Sequence, residues 1–273
     1  MAVTNFQKSL IVLSAAALTA LLYFAPRTTS KTSSHPGPEK KESSVDFNFE
    51  NFVTETKKQL TPGEVVRLQK FSESKESSAV DSIVSIWDNA KQPGISASYF
   101  EEKAHSDNSE KSFINAAYRY FDGFKMAQDS LQRSYFVSKA IENYTKVLEL
   151  NPKNLDAKTD LGICYAEGTS NPMQGIMMLR EVVKENPNHE NAQLNLGFLS
   201  IKSGQYEKAI DRLNIVFKIN PARIDAYIFL GQTYFQMGKK EKAIESFEKF
   251  KSLSNDDKMI AEVDAYIKEL KGK

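Results

Sequence analysis

The chain has 273 residues, 41% of them hydrophobic and 26% charged, with a formal net charge of +1 at neutral pH. That length and hydrophobic content allow a sizeable core, and the near-zero charge gives no electrostatic reason for a nucleic-acid partner. One cysteine excludes an internal disulfide framework, and the three histidines, His35, His105 and His189, are too scattered for a metal-ligand motif.

Residues 1–26 read as a membrane segment. From Asn5 to Ala25 the only formally charged side chain is Lys8, and the run from Leu10 onward is almost wholly apolar. As a helix, roughly 21 such residues would span about 31 Å, close to a bilayer core. The pattern predicts an uncleaved N-terminal transmembrane anchor. A cleaved signal peptide is the rival reading, but its small-residue pair, Ala15 and Ala17, lies inside the apolar run instead of after it. Arg27, Lys31, Lys40 and Lys41 follow the span, so the positive-inside rule places the carboxyl-terminal part in the cytoplasm. An anchor acting as an export signal would place it outside. Residues 27–45 are rich in Ser, Thr, Lys and Pro and predict a disordered polar linker.

Residues 46–127 form a divergent helical region. Phe49, Phe52, Val53, Thr56 and Leu60 give one helix, and Thr61, Pro62 and Glu64 form a capping box that opens the next. Val80, Ile83, Val84 and Trp87 give a third, with Pro93 and Gly94 as its stop, and Tyr99 and Phe100 suggest a short fourth. A longer helix from about Ser109 to Gln128 pairs with one inside 128–154, as the first and second helices of a divergent repeat.

From residue 155 the pattern becomes periodic. Gly162, Gly197 and Gly231 are 35 and 34 residues apart, and Pro152, Pro187 and Pro221 keep the same spacings. Within 190–223, Ala209, Ile210, Leu213, Val216 and Phe217 recur at helical steps, Gly204 interrupts them from the preceding helix, and Pro221 ends the unit. Such a period means stacked helical hairpins, with units at 155–189, 190–223 and 224–255. The last stretch, 256–273, carries Met259, Ile260, Val263, Tyr266, Ile267 and Leu270 on one stripe and reads as a capping helix.

These residues carry a family resemblance. Leu161, Gly162, Tyr165, Leu179 and Pro187 match the tetratricopeptide (TPR) pattern in the first unit, and Leu196, Gly197, Ala209, Leu213 and Pro221 match it in the second. In the third, Tyr227, Leu230, Gly231, Tyr234, Ala243 and Phe247 stand at the expected offsets, Tyr227 replacing the usual tryptophan. The whole chain resembles a group of membrane-anchored TPR proteins of Bacteroidetes bacteria. The resemblance implies an all-α, TPR-type α-solenoid of antiparallel hairpins behind an N-terminal transmembrane helix, single-pass in a bacterial inner membrane. It implies no reaction.

The residues themselves carry no catalytic motif: there is no glycine-rich phosphate loop, paired-histidine motif or nucleophile elbow, and no cofactor is expected. The acid pairs Glu101/Glu102 and Asp256/Asp257 read as solvated faces or caps, and Cys164 and Trp87 as core. Gly175 replaces the family's usual alanine at a helix seam, which predicts room for alanine but not for leucine. Met177 and Met178 fall where such hairpins expose their second helix.

What remains is a surface. In TPR proteins the first helix of each hairpin lines a concave groove, and Thr159, Ile163, Glu167, Leu194, Asn195, Phe198, Lys202, Ile228, Phe229, Gln232 and Phe235 occupy the matching positions here. Leu194 and Phe198 sit where a carboxylate clamp would need lysine and asparagine, so that clamp is not expected. The chain is read as a membrane-tethered protein–protein interaction scaffold that binds a protein or peptide partner through Leu194, Asn195, Phe198, Lys202, Ile228, Phe229, Gln232 and Phe235, without catalysis. Two alternatives stand beside it: a self-associating platform, a homo-oligomer pairing through the Ala16 to Ala20 spacing of the anchor, and an enzyme with an unrecognised site. A third possibility for the apolar groove residues is internal: the helix at 46–60, or a later helix of the divergent region, folds back and fills the groove.

Overall fold

In the computed structural model, which describes residues 47–74 and 77–272, capping signals set where the helices begin. The anchor and linker predicted over 1–26 and 27–45 lie outside those residues. No helix among the described residues is long and apolar enough to cross a membrane. Thr61 caps the helix Pro62–Ser72 through the expected box: its amide donates to the Glu64 carboxylate at 2.8 Å, and the Glu64 amide donates back to its hydroxyl. Ser109, Asp129, Asn154 and Asp256 likewise accept from backbone amides three residues on, at the starts of later helices.

Thirteen helices and no strands make up the described residues. The divergent region holds α1 (Phe49–Lys57), α2 (Pro62–Ser72), α3 (Ser77–Asn89), α4 (Pro93–Asp107) and α5 (Glu110–Met126). The long α6 (Ser130–Leu150) pairs with α5. Three hairpins follow: α7 (Leu155–Gly168) with α8 (Pro172–Glu185), α9 (Glu190–Lys202) with α10 (Tyr206–Ile219), and α11 (Ile224–Gln236) with α12 (Lys240–Leu253). The last helix, α13 (Asp257–Leu270), lays Val263, Ile267 and Leu270 against Phe247 and Phe250 of α12.

α3 ends at Asn89, before Pro93 and Gly94, but that pair also opens the next helix. Proline fits the first turn of α4, where its missing N–H has no intrahelical role, so the expected short fourth helix runs for 15 residues. A Cβ at Gly94 would overlap the Phe136 ring, and one at Gly123 would lie 2.9 Å from the Gly94 Cα, so α4 and α5 meet backbone to backbone. The fold-back of the helix at 46–60 takes a different place from the one expected. Phe47, Phe49 and Phe52 pack on Tyr135 and Phe136 of α6, with Phe49 stacked on Tyr135 at 5.3 Å between ring centroids. That seat lies at the start of α6, away from the repeat units.

The cores are shared between consecutive helices. Leu179 and Val182 of α8 close on Ala192 and Leu196 of α9, while Leu213 and Val216 of α10 close on Leu194 and Ala226 from either side. Cys164 is fully buried in the cluster joining α3 to α7, and burial pushes its thiol far up, which disfavours a thiolate there. Trp87 is also fully buried.

One polar group departs from expectation, and a second, Asp160, carries no expectation from the sequence. Glu101, expected on a solvated face, is only 13% exposed and accepts hydrogen bonds from the Tyr120 hydroxyl at 2.8 Å, the Asn143 amide at 2.8 Å and Lys139 at 3.2 Å. It ties α4, α5 and α6 into one block. Asp160 of α7 lies half-buried beside Cys164 and Tyr144; burial pushes its carboxyl up to about 6, opposed by the Tyr144 hydroxyl and reinforced by the Asp156 charge.

The seam of α7 and α8 is the closest of the three repeat hairpins. A Cβ at Gly175 would overlap the Gly162 carbonyl oxygen and lie 2.6 Å from the Ala166 amide nitrogen. The obstacle is backbone, so alanine is excluded as well as leucine, against the sequence expectation. At Gly197 the nearest atom would be the Arg212 Cβ at 3.5 Å, an ordinary contact.

Gly175→Ala should therefore cost about 3 kcal/mol or more of unfolding free energy in urea, whereas Gly197→Ala should cost nothing and can gain up to about 1 kcal/mol from helix propensity. Equal midpoints for the two variants would mean that α7 and α8 do not approach as described. The Asp160 carboxyl gives a pH dependence of definite sign. An unfolded aspartate releases its proton near 4, whereas the folded one keeps it to about 6. The folded state thus binds more protons across that window, and this site's contribution to stability falls as pH rises through it. Unfolding curves between pH 4 and 7 should show that fall in the parent protein and lack it in Asp160→Asn. Parallel pH profiles would count against the assignment.

Candidate functional site

The curvature of the array follows from which helices touch. The first helices of successive hairpins, α7 with α9 and α9 with α11, approach each other more closely than the second helices do. The array therefore bends toward its first helices, and their outer faces line its concave side. Polar ties hold the turns in register. Glu190 at the start of α9 receives Asn220 and Arg223 from the following turn, at 3.2 and 2.8 Å, and Glu110 at the start of α5 receives Asn151 and Asn154. Between these, the His189 side chain caps α9 by accepting from the Ala192 amide, with its other ring nitrogen 3.1 Å from Asp156. Arg223 also grips Asp225 at 2.6 Å, and these two carboxylates together hold its guanidinium above its ordinary value.

On this concave side the predicted residues separate into three groups. Phe198, Lys202 and Phe229 come together: the two rings lie 5.2 Å apart, tilted, and the Lys202 ammonium stands 4.7 Å from the Phe198 centroid. Both rings are half-buried and Lys202 is exposed, which leaves an aromatic surface with a cation beside it. Asn195 and Gln232 flank it, half-buried, with the Asn195 amide donating to the Asn191 carbonyl at 2.8 Å.

Ile228 and Phe235 are drawn instead toward the end of the array. Ile228 packs with the cluster of α12 and α13, and Phe235 meets Tyr266 of α13 edge-on at 5.9 Å. Leu194 is 5% exposed and belongs to the core between α9, α10 and α11, so it offers no surface to a partner. Of the earlier unit, Thr159 is fully buried with its hydroxyl bonded to the Leu155 carbonyl, Ile163 is half-buried, and Glu167 is exposed. On the other face of the array, Met177 is exposed while Met178 packs partly into the core joining α3 to α7.

Sequence reasoning missed Asp160 in this region. Its signal was present: Asp160 and Cys164 are four residues apart and so share a helix face, which places the carboxyl over an apolar cluster. No group of His, Cys, Asp and Glu among the described residues is arranged to hold a metal ion.

Comparison with known proteins matches this geometry. Residues 224–257 match the model of the tetratricopeptide repeat. Over 89 residues the chain is 33% identical to the RNA polymerase-associated protein CTR9 of Saccharomyces cerevisiae; that stretch covers 33% of this chain and 8% of the yeast protein, so the match spans less than a tenth of that relative. Among solved structures, TTC0263, a thermophilic TPR protein of Thermus thermophilus, aligns with a TM-score of 0.53 at 15% identity over 75% of this chain and 98% of its own. MamA of Desulfovibrio magneticus RS-1 aligns at 0.47 and 20% identity, over 67% of this chain and 99% of its own. Residues 224–257 are thus a tetratricopeptide repeat, and the described helices build a TPR-like solenoid around it.

Proposed function

We propose that this chain is a membrane-tethered, non-catalytic scaffold, held in a bacterial inner membrane by residues 1–26 and receiving a peptide or helix of a partner protein on the concave side of its repeats. The observation that carries the reading is the patch of Phe198, Phe229 and Lys202, two partly buried rings and an exposed cation on a face where polar side chains would serve solubility better. Aromatic anchors flanked by amides suit a segment that buries an apolar side chain and satisfies its backbone on Asn195 and Gln232. The helix at 46–60, one internal candidate for filling the groove, is occupied against Tyr135 and Phe136. The apolar run at residues 1–26 and the polar stretch at 27–45 supply the anchor and the reach needed to work beside a membrane.

Phe198→Glu tests the groove. A carboxylate there lies four residues before Lys202, a favourable helical pair, so the melting midpoint should move by no more than about 2–4 °C, the scale of 1 kcal/mol in an array of this size. Crosslinking and affinity capture from intact membranes should meanwhile lose the partners held by the parent protein, as removal of an aromatic anchor costs about 2 kcal/mol or more of binding. The same partners captured in the same yield by both proteins would remove the groove reading. Deleting residues 1–26 should shift the protein from the carbonate-washed membrane pellet to the supernatant, and a truncated chain that stays in the pellet would overturn the anchor.

A further inference from the structure

A second cleft opens on the opposite side of the array from the aromatic patch. It runs between α8 and α10 with α9 at its back, has a volume of about 400 Å³, and draws its apolar lining from Met173 and Ile176 of α8, Leu196 and Leu199 of α9 and Ile215 of α10. Three cations rim it: Arg180, Lys208 and Arg212, against one carboxylate, Asp211. Lys208 bonds to the Gln205 side chain at 2.7 Å and Arg212 to the Gln193 side chain at 2.7 Å, both neutral partners. The nearest acid in sequence to Arg180, Glu181, is engaged by Lys158 at 2.7 Å. None of the three cations is ion-paired among the described residues. In a chain with a net charge of +1, a cleft carrying three cations and one anion is a local concentration of positive charge.

Arg212 is partly buried where Arg180 is exposed. Burial, and after it the neighbouring Arg180 charge, lower the Arg212 guanidinium's hold on its proton from the ordinary arginine value, with Asp211 opposing the change. Three cations against the single carboxylate of Asp211, beside apolar side chains, are a costly arrangement that an incoming carboxylate relieves. Arg212 is held by its bond to Gln193, so its side chain is partly ordered before any ligand arrives.

We propose that this cleft is a second protein-binding site, specific for a short acidic peptide segment in which a carboxylate bridges Arg180 and Arg212 and an adjacent apolar side chain enters against Met173, Ile176 and Ile215. Charge complementarity selects the acidic class, and the recessed apolar wall selects a side chain over a bare anion. A flat anionic membrane would meet the exposed Arg180 and Lys208 but would not reach Leu196, which is 5% exposed at the back of the cleft. The site is independent of the concave patch, so one scaffold holds two ligands on opposite faces.

The test is fluorescence anisotropy with a labelled hexapeptide of alternating aspartate and leucine, on the full chain in detergent. Binding should saturate, weaken as salt rises, and fall about tenfold in Arg180→Gln, the scale of one charge-assisted hydrogen bond. Arg180 is exposed, so that variant folds regardless of the outcome; Arg212→Lys, which keeps the charge but loses the planar fork, should weaken binding similarly. Phe198→Glu should leave this peptide's affinity unchanged, which separates the cleft from the groove. Equal affinity for the asparagine-substituted peptide would overturn the proposal in favour of a purely apolar contact. Binding of inorganic phosphate without the peptide would reduce the site to an anion site, and binding of equimolar phosphatidylcholine and phosphatidylserine vesicles by the chain lacking residues 1–26, lost in Arg180→Gln and without peptide binding, would make it a membrane contact; either result refutes an acidic peptide site. An affinity unchanged in both arginine variants refutes it as well.

Discussion

No hairpin in this chain can close its own apolar face, and that shared burial is the constraint from which the rest follows. Leu213 and Val216 sit between Leu194 of the preceding helix and Ala226 of the following one, so the core at each step belongs to two units at once. A TPR-like array obtains its cooperativity this way, and it also obtains its ends. At one end α13 supplies Val263, Ile267 and Leu270 to cover α12. At the other, the phenylalanines near α1 cover the beginning of α6, where Phe49 stacks on Tyr135. The same need that stacks the repeats explains why both flanking regions are apolar on one side.

Curvature then decides what the surface can do. First helices approach each other and second helices separate, so side chains on the two faces meet different geometries. On the concave face, Phe198 and Phe229 are brought within stacking reach although they are 31 residues apart in sequence. On the convex face, the second helices leave between them the space that Arg180 and Arg212 rim. The polar ties at Glu110 and Glu190 fix this spacing, since each carboxylate holds two side chains arriving from the following turn.

Much of the fold is legible in the sequence because helical periods and a repeat of 34 to 35 residues are local and redundant signals. Gly162, Gly197 and Gly231 mark the same seam three times. Where the reading failed, the deciding information was tertiary. Pro93 follows the end of one helix and opens another, and α4 runs its full length because α5 and α6 are there to receive it. Glu101 looks solvated until Tyr120, Asn143 and Lys139 arrive from distant positions. Leu194 occupies a groove register by count, yet it packs against Leu213, Val216 and Ala226 in the core, while Phe198 one turn later stays partly exposed. Repeat position thus identifies the groove helices, while burial decides which of their residues are available.

The contact between Gly162 and Gly175 has a consequence for the whole superhelix. A solenoid carries each unit's geometry forward as a lever, so the angle set at one hairpin displaces everything beyond it in proportion to distance. Gly175 lies upstream of both Phe198 and Phe229, and of Arg212 on the other face. Wedging α7 and α8 apart by one methyl group would leave those side chains chemically intact while shifting them with respect to Tyr118 and the rest of the block before residue 155. Replacing this unit with an averaged repeat sequence would therefore retune the spacing of distant surfaces without touching a single residue on them.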